Sequence, residues 1–190
     1  MTRRQTARFC LAALVLLTVS CTADPPSSTP STGPAAVVDA PPYLCGFIPQ
    51  AAVAVLTGYT GRYTAGSGKI SSADSCAVMN DAQSILLTGY ERTAERNVIE
   101  KWMRNGEENG RVRLPQELGI GAIDSYEVRG YPFRSAGTLF RCGNENSLIT
   151  IYVKRNPARN QDQDLIQLMR IAQRRFAEMF KCEPGGAPQG

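Results

Sequence analysis

The chain has 190 residues, with 21 Lys and Arg against 17 Asp and Glu, and no histidine. Without histidine, Ser-His-Asp triads, Cys-His pairs and His-based zinc sites are excluded together. Arg3, Arg4 and Arg8 carry most of the excess charge; taking these three from 21 leaves 18 basic against 17 acidic residues. That near-neutral balance gives no footing for nucleic acid as a partner.

The first element is a short apolar run, Leu11 to Val19, led in by those arginines and closed by Ser20-Cys21. A positive lead, an apolar centre and a small residue at the cut are the layout of a secretory signal peptide. The pattern predicts a signal peptide over residues 1–20. Val19-Ser20-Cys21 resembles the lipobox of bacterial lipoproteins, with Thr18 where leucine is usual. The resemblance implies that the Cys21 thiol receives a diacylglycerol and becomes the mature N-terminus. The rival readings are a plain secretory peptide with a coincidental cysteine and an uncleaved anchor. The apolar run falls short of the about 20 residues that a span needs. Two acyl chains on one cysteine anchor stably, where a single chain binds marginally. Thr2-Arg3-Arg4 lacks the apolar residues that follow a twin-arginine motif, which leaves either export route open. The implied location is the extracytoplasmic face of the cell membrane, held there by lipid.

Thr22 to Pro42 is rich in Pro, Ser, Thr and Ala. Such a composition buries too little apolar surface to order itself. Residues 21–42 therefore read as the lipidated cysteine and a disordered tether. A single domain is predicted over 43–182 and a disordered tail over 183–190.

Pro49 suits the first turn of a helix that runs through Ala51, Ala52, Val53, Val55 and Leu56 and stops at Gly58. Thr60 to Asp74 is rich in Gly and Ser and reads as a loop. Ser75 to Met79 and Ser84 to Arg92 read as the two strands of a hairpin turning at Asn80-Asp81-Ala82. Thr93 is placed to cap a second helix carrying Val98, Ile99, Trp102 and Met103, which Asn105-Gly106 ends. Glu107 to Gly121 reads as loop and Ser125 to Arg129 as strand. Gly137 to Cys142 and Leu148 to Lys154 follow as strands around a turn at Gly143 to Asn146. The last helix opens at Asp162 and Asp164. Leu165, Leu168, Met169, Ala172, Phe176, Met179 and Phe180 form its apolar stripe. The order α-β-β-α-β-β-β-α predicts an α+β fold: three helices packed with an antiparallel sheet of about five strands.

Cys45, Cys76, Cys142 and Cys182 remain once Cys10 and Cys21 are set aside. An even number in an exported chain reads as two disulfides with three possible connectivities. Cys45–Cys76 and Cys142–Cys182 are favoured because each closes a sequence-local loop. A four-cysteine metal site lacks any CxxC pair, and no metal or cofactor is expected.

Gly66-Ser67-Gly68-Lys69 superficially suggests a phosphate loop. However, Tyr63 stands where the first glycine of that motif belongs, and Ile70 where Ser or Thr does. Glu107-Glu108 and Asp162 with Asp164 are the candidate acid/base or calcium carboxylates. Neither has EF-hand spacing, and the second pair fits a helix start. Trp102, Tyr90, Tyr131 and Phe133 are candidates for an apolar pocket. Core packing is the competing role for Trp102, and a partner surface the competing role for Tyr131-Pro132-Phe133. No catalytic residue is predicted.

Beyond the lipobox and tether, Tyr43-Leu44-Cys45-Gly46-Phe47-Ile48-Pro49 runs into the helix ending Leu56-Thr57-Gly58, and Cys76 opens a strand. Leu118-Gly119-Ile120-Gly121 and the strands Gly137–Cys142 and Leu148–Val153 follow. This layout resembles actinobacterial lipoproteins built on a domain of unknown function with a Cys-led first helix. It resembles more loosely the disulfide-bonded extracellular sensors of actinobacterial serine/threonine kinases. The resemblance carries no active site and implies an envelope setting. The expectation is a non-enzymatic lipoprotein that binds a small ligand or an envelope protein. An envelope hydrolase working through carboxylates and a purely structural lipoprotein are the alternatives.

Overall fold

A computed structural model describes residues 35–70, 73–104 and 111–186. The predicted signal peptide, Cys21 and the tether up to residue 34 lie outside the described residues, as do Glu107, Glu108 and the Trp102 side chain.

Cys45 and Gly46, with φ of 56° and 80°, turn the chain between β1 (Tyr43–Leu44) and β2 (Ile48–Pro49). The extended backbone at Pro49 feeds α1 (Gln50–Thr57), which Gly58 ends in the left-handed conformation that glycine adopts without strain. Next come β3 (Thr64–Ile70), β4 (Ala73–Met79), β5 (Ser84–Glu91) and α2 (Arg96–Arg104). After α2 the chain forms β6 (Val112–Arg113), a 3-10 turn, β7 (Ile120–Val128), β8 (Tyr131–Cys142) and β9 (Glu145–Lys154). The last helix is α3 (Gln161–Phe180), and β10 (Pro184–Gly185) follows it.

The main sheet is antiparallel in the order β3-β4-β5-β9-β8-β7-β6, with β10 beside β8 in line with β7. It has eight strands among the described residues, where about five were expected. The α+β class and the three helices stand. The extra strands come from stretches read as polar loop or tail. Thr64–Ile70, read as loop, pairs along its whole length with β4, because backbone hydrogen bonding does not require apolar side chains. Residues 107–121 hold β6 and the start of β7, and the tail contributes β10.

Alternation along the strands gives the sheet two faces. Ile149, Ile151 and Val153 of β9 and Phe140 of β8 join the core beneath α1 and α3. Leu139 and Leu148, one residue out of phase, pack instead with Ala94 and with Ile99 of α2. The first face is thus closed by two helices and the second is only partly covered by α2. Tyr90 belongs to the closed face, where its ring meets Phe47 and Phe176 edge-on and lies tilted against Phe180.

Polar fastenings hold the helices to the sheet. Arg134 of β8 grips Asp162 with two hydrogen bonds of 2.7 and 3.0 Å, and Arg159 grips Asp164 in the same way. The buried Gln161 amide donates to the Leu56 and Lys154 carbonyls and accepts from the Asn156 N–H. One side chain thereby joins the ends of α1 and β9 to the start of α3.

The disulfides join Cys45 to Cys76 and Cys142 to Cys182, with Cα separations of 5.6 and 5.3 Å. The tether ends earlier than the composition indicated. Val37 is buried in the core, and Asp39 accepts hydrogen bonds from Tyr43, Arg174 and Arg175. A segment poor in apolar residues is ordered here by ion pairing, which a compositional reading does not register.

Candidate functional site

The uncovered part of the second sheet face is a trough. Its floor comes from Gly66 and Gly68 of β3, Ser75 and Ala77 of β4, Gly89 of β5 and Thr150 of β9. The strand register brings these together: Gly66 lies across from Ala77, Gly68 from Ser75, Ser75 from Gly89, and Gly89 from Thr150. Each residue is small, so the sheet surface is bare.

The glycines explain the emptiness. Neither Gly66 nor Gly68 has a positive φ, so backbone conformation does not demand glycine there. A Cβ on Gly66 would meet nothing within 4 Å, and one on Gly68 only the Ser75 hydroxyl at 3.8 Å. Glycine inside a strand weakens it, and it recurs where a ligand or another backbone comes close. No other part of the described chain fills this space.

Tyr126 of β7 and Tyr152 of β9 form the far wall. Their rings lean together across β8, with centroids 5.5 Å apart. Burial pushes the Tyr152 phenol above its ordinary range, and the neighbouring Tyr126 adds to the shift. The phenol therefore stays neutral across the physiological range.

The trough holds about 550 Å³, within the range of small-molecule sites. It continues in both directions. Thr150 and Tyr152 also line a cavity of about 180 Å³ that reaches Ile99 of α2. Leu87 and Val128 also line one of about 400 Å³ towards Met79, Tyr131 and Phe133. The two outer cavities share no lining residue with each other, and each adjoins the central trough through a different pair of side chains. Arg129 is the one charged side chain among the described residues lining them. Met79, Tyr126 and Tyr131 are exposed here, a cluster of large apolar side chains left in water.

Several residues singled out from the sequence lie elsewhere. Asp162 and Asp164 are each engaged by an arginine. They line or adjoin a polar hollow where the Ser125 hydroxyl accepts from Arg134 and Arg155. That arrangement fastens α3 to the sheet. Gly66-Ser67-Gly68-Lys69 is strand and not phosphate loop. Tyr131 lines the outer trough, while Phe133 beside it is buried. Among the described residues, no three His, Cys, Asp or Glu side chains are placed to hold a metal ion. Sequence reasoning missed the trough itself, whose floor is drawn from four strands; the alternating Gly66-x-Gly68 was its one local signal.

No protein-family model, no curated protein and no solved structure matches this chain.

Proposed function

We propose that this protein is an extracytoplasmic lipoprotein, tethered to the cell membrane through Cys21, whose α+β domain binds a small apolar ligand on the open face of its sheet. The observation that carries the binding reading is the glycine-floored trough, uncharged among the described residues except at Arg129. A hydrolytic site needs a nucleophile or a paired acid and base within reach of a bound substrate. Among the described residues the lining offers hydroxyls, phenols, the Gln83 amide and the Arg129 guanidinium but no carboxylate, so binding suits it better than turnover. The anchor reading is supported by the lipobox-like Val19-Ser20-Cys21 after an apolar run, and two disulfides are compatible with an oxidising compartment.

The test is organic extraction of the purified native protein followed by mass spectrometry, wild type against Gly66→Phe. A small apolar compound present in wild type and depleted in the variant is the expected result. Equal amounts in both, or none in either, would count against the reading. For the anchor, Cys21→Ala should move the protein from the membrane fraction to the medium or leave uncleaved precursor; unchanged processing and retention would overturn it.

A further inference from the structure

We propose that the ligand is a single-chain fatty acid, its hydrocarbon chain laid along the trough and its carboxylate at the Arg129 end. This rests on the reading of the trough as a binding site and names the ligand class.

Three features lead to a chain and not a compact ring system. The first is shape. The three cavities adjoin in series on one sheet face, their linings reaching from Phe133, which pairs with Lys154, to Leu148. Six residues of strand separate Lys154 from Leu148, which is about 20 Å. The second is the floor. On β3 and β4 the alternating glycines with Ser75 and Ala77 leave the groove free of large side chains, and Leu87 and Tyr152 border it where it meets the outer cavities. The third is polarity. The end beneath α2 is closed by Ile99 and Leu148, whereas the opposite end carries Arg129. An amphiphile placed tail towards Ile99 and head towards Arg129 matches both ends.

Arg129 sits in the two-residue turn between β7 and β8, where it and Gly130 have φ of 53° and 82°. Positive φ at both central positions is the hairpin geometry that follows strand twist. The turn therefore presents the guanidinium at the rim of the trough and exposed to water. There it can meet a carboxylate without burying a charge.

The test uses cis-parinaric acid, a fluorescent fatty acid, with the full-length Cys21→Ala protein freed of bound lipid. Octanoate, decanoate, dodecanoate and tetradecanoate then compete for it. Removing apolar surface from water predicts about three- to fourfold tighter binding per added methylene. Gly66→Phe should weaken dodecanoate at least tenfold, and Gly68→Leu should do the same by a different side chain. Both should keep the wild-type melting temperature or exceed it, because strand glycine is itself destabilising. Arg129→Ala should weaken dodecanoate about two- to fivefold, as an exposed ion pair allows, and leave dodecanol unchanged. Affinity independent of chain length would overturn the fatty-acid assignment while leaving a trough ligand found by extraction intact. Wild-type affinity in both folded glycine variants would overturn the site as well. Uptake of the unacylated Cys21→Ala protein by neutral lipid vesicles with no binding of monomeric dodecanoate would mean that the face docks on a bilayer, and would also overturn the proposal.

Discussion

Tyr126 and Tyr152 sit on strands separated by β8, yet their ring centroids are 5.5 Å apart and their planes are inclined by 56°. On the intervening strand the small Ser135 pairs with Tyr152, while Tyr126 pairs with Phe133 two residues before it. Such a ring pair gains about 0.5–1.5 kcal/mol beyond area burial, and less where one ring is half in water. Tyr126 is 54% exposed. Tyr126→Ala should therefore change unfolding free energy by less than about 1 kcal/mol. The same substitution should weaken parinarate binding about tenfold through lost apolar contact. Chemical denaturation and fluorescence titration on one preparation separate the two effects.

Arg134 and Asp162 should behave as a structural pair. Removing one partner of a buried ion pair costs about 3–5 kcal/mol. Asp162 is about one-third exposed, so Arg134→Met is expected near the lower end of that range, about 3 kcal/mol. The double variant with Asp162→Asn should recover part of the loss. Urea unfolding of the four proteins in the cycle measures the coupling.

Stability should fall in acid through Asp39. Burial opposes its ionisation, but hydrogen bonds from Arg175, Tyr43 and Arg174 outweigh this and hold the carboxyl at about 2, against an ordinary 3.8. A depressed carboxyl pKa favours the folded state while the group is ionised. That contribution is fully present above about pH 4 and is lost as pH falls towards 2. Asp39→Asn should flatten this part of the urea-midpoint profile between pH 4 and 2. A wild-type slope in the variant would assign the acid limb to other carboxylates.

These elements differ in how far the sequence revealed them. The last helix was legible because Leu165 to Phe180 repeats at three and four, a period that only a helix satisfies. The hairpin of β4 and β5 was legible from its polar turn. β3 was not, because Gly66, Ser67 and Gly68 have low strand propensity and the pairing with β4 overrides it. Asp39 was passed over because its partners Arg174 and Arg175 lie some 135 residues away. The candidate site was the least legible part. Its floor is assembled by register across four strands, and small residues carry no chemistry that a motif could capture.

The Cys142–Cys182 bridge should anchor the C-terminal end of the domain. It joins the end of β8 to the residue two past α3, and β10 pairs with β8 just beyond it. Replacing both cysteines with serine should cost about 2–5 kcal/mol. Hydrogen exchange should quicken first at Phe180 to Gly185, while β5 and β9 keep their protection. Uniform loss of protection across the sheet would show that the bridge supports the whole fold.

The central claim is that a ligand lies on the glycine-floored face of the sheet. Backbone amide NMR during titration with dodecanoate tests it most directly. The expected result is saturable shifts at Gly66, Gly68, Gly89, Thr150 and Tyr152, with Arg129 responding at the head end and α3 unmoved. Shifts confined to α3 or to the Arg134–Asp162 region, with the trough glycines unchanged, would contradict it.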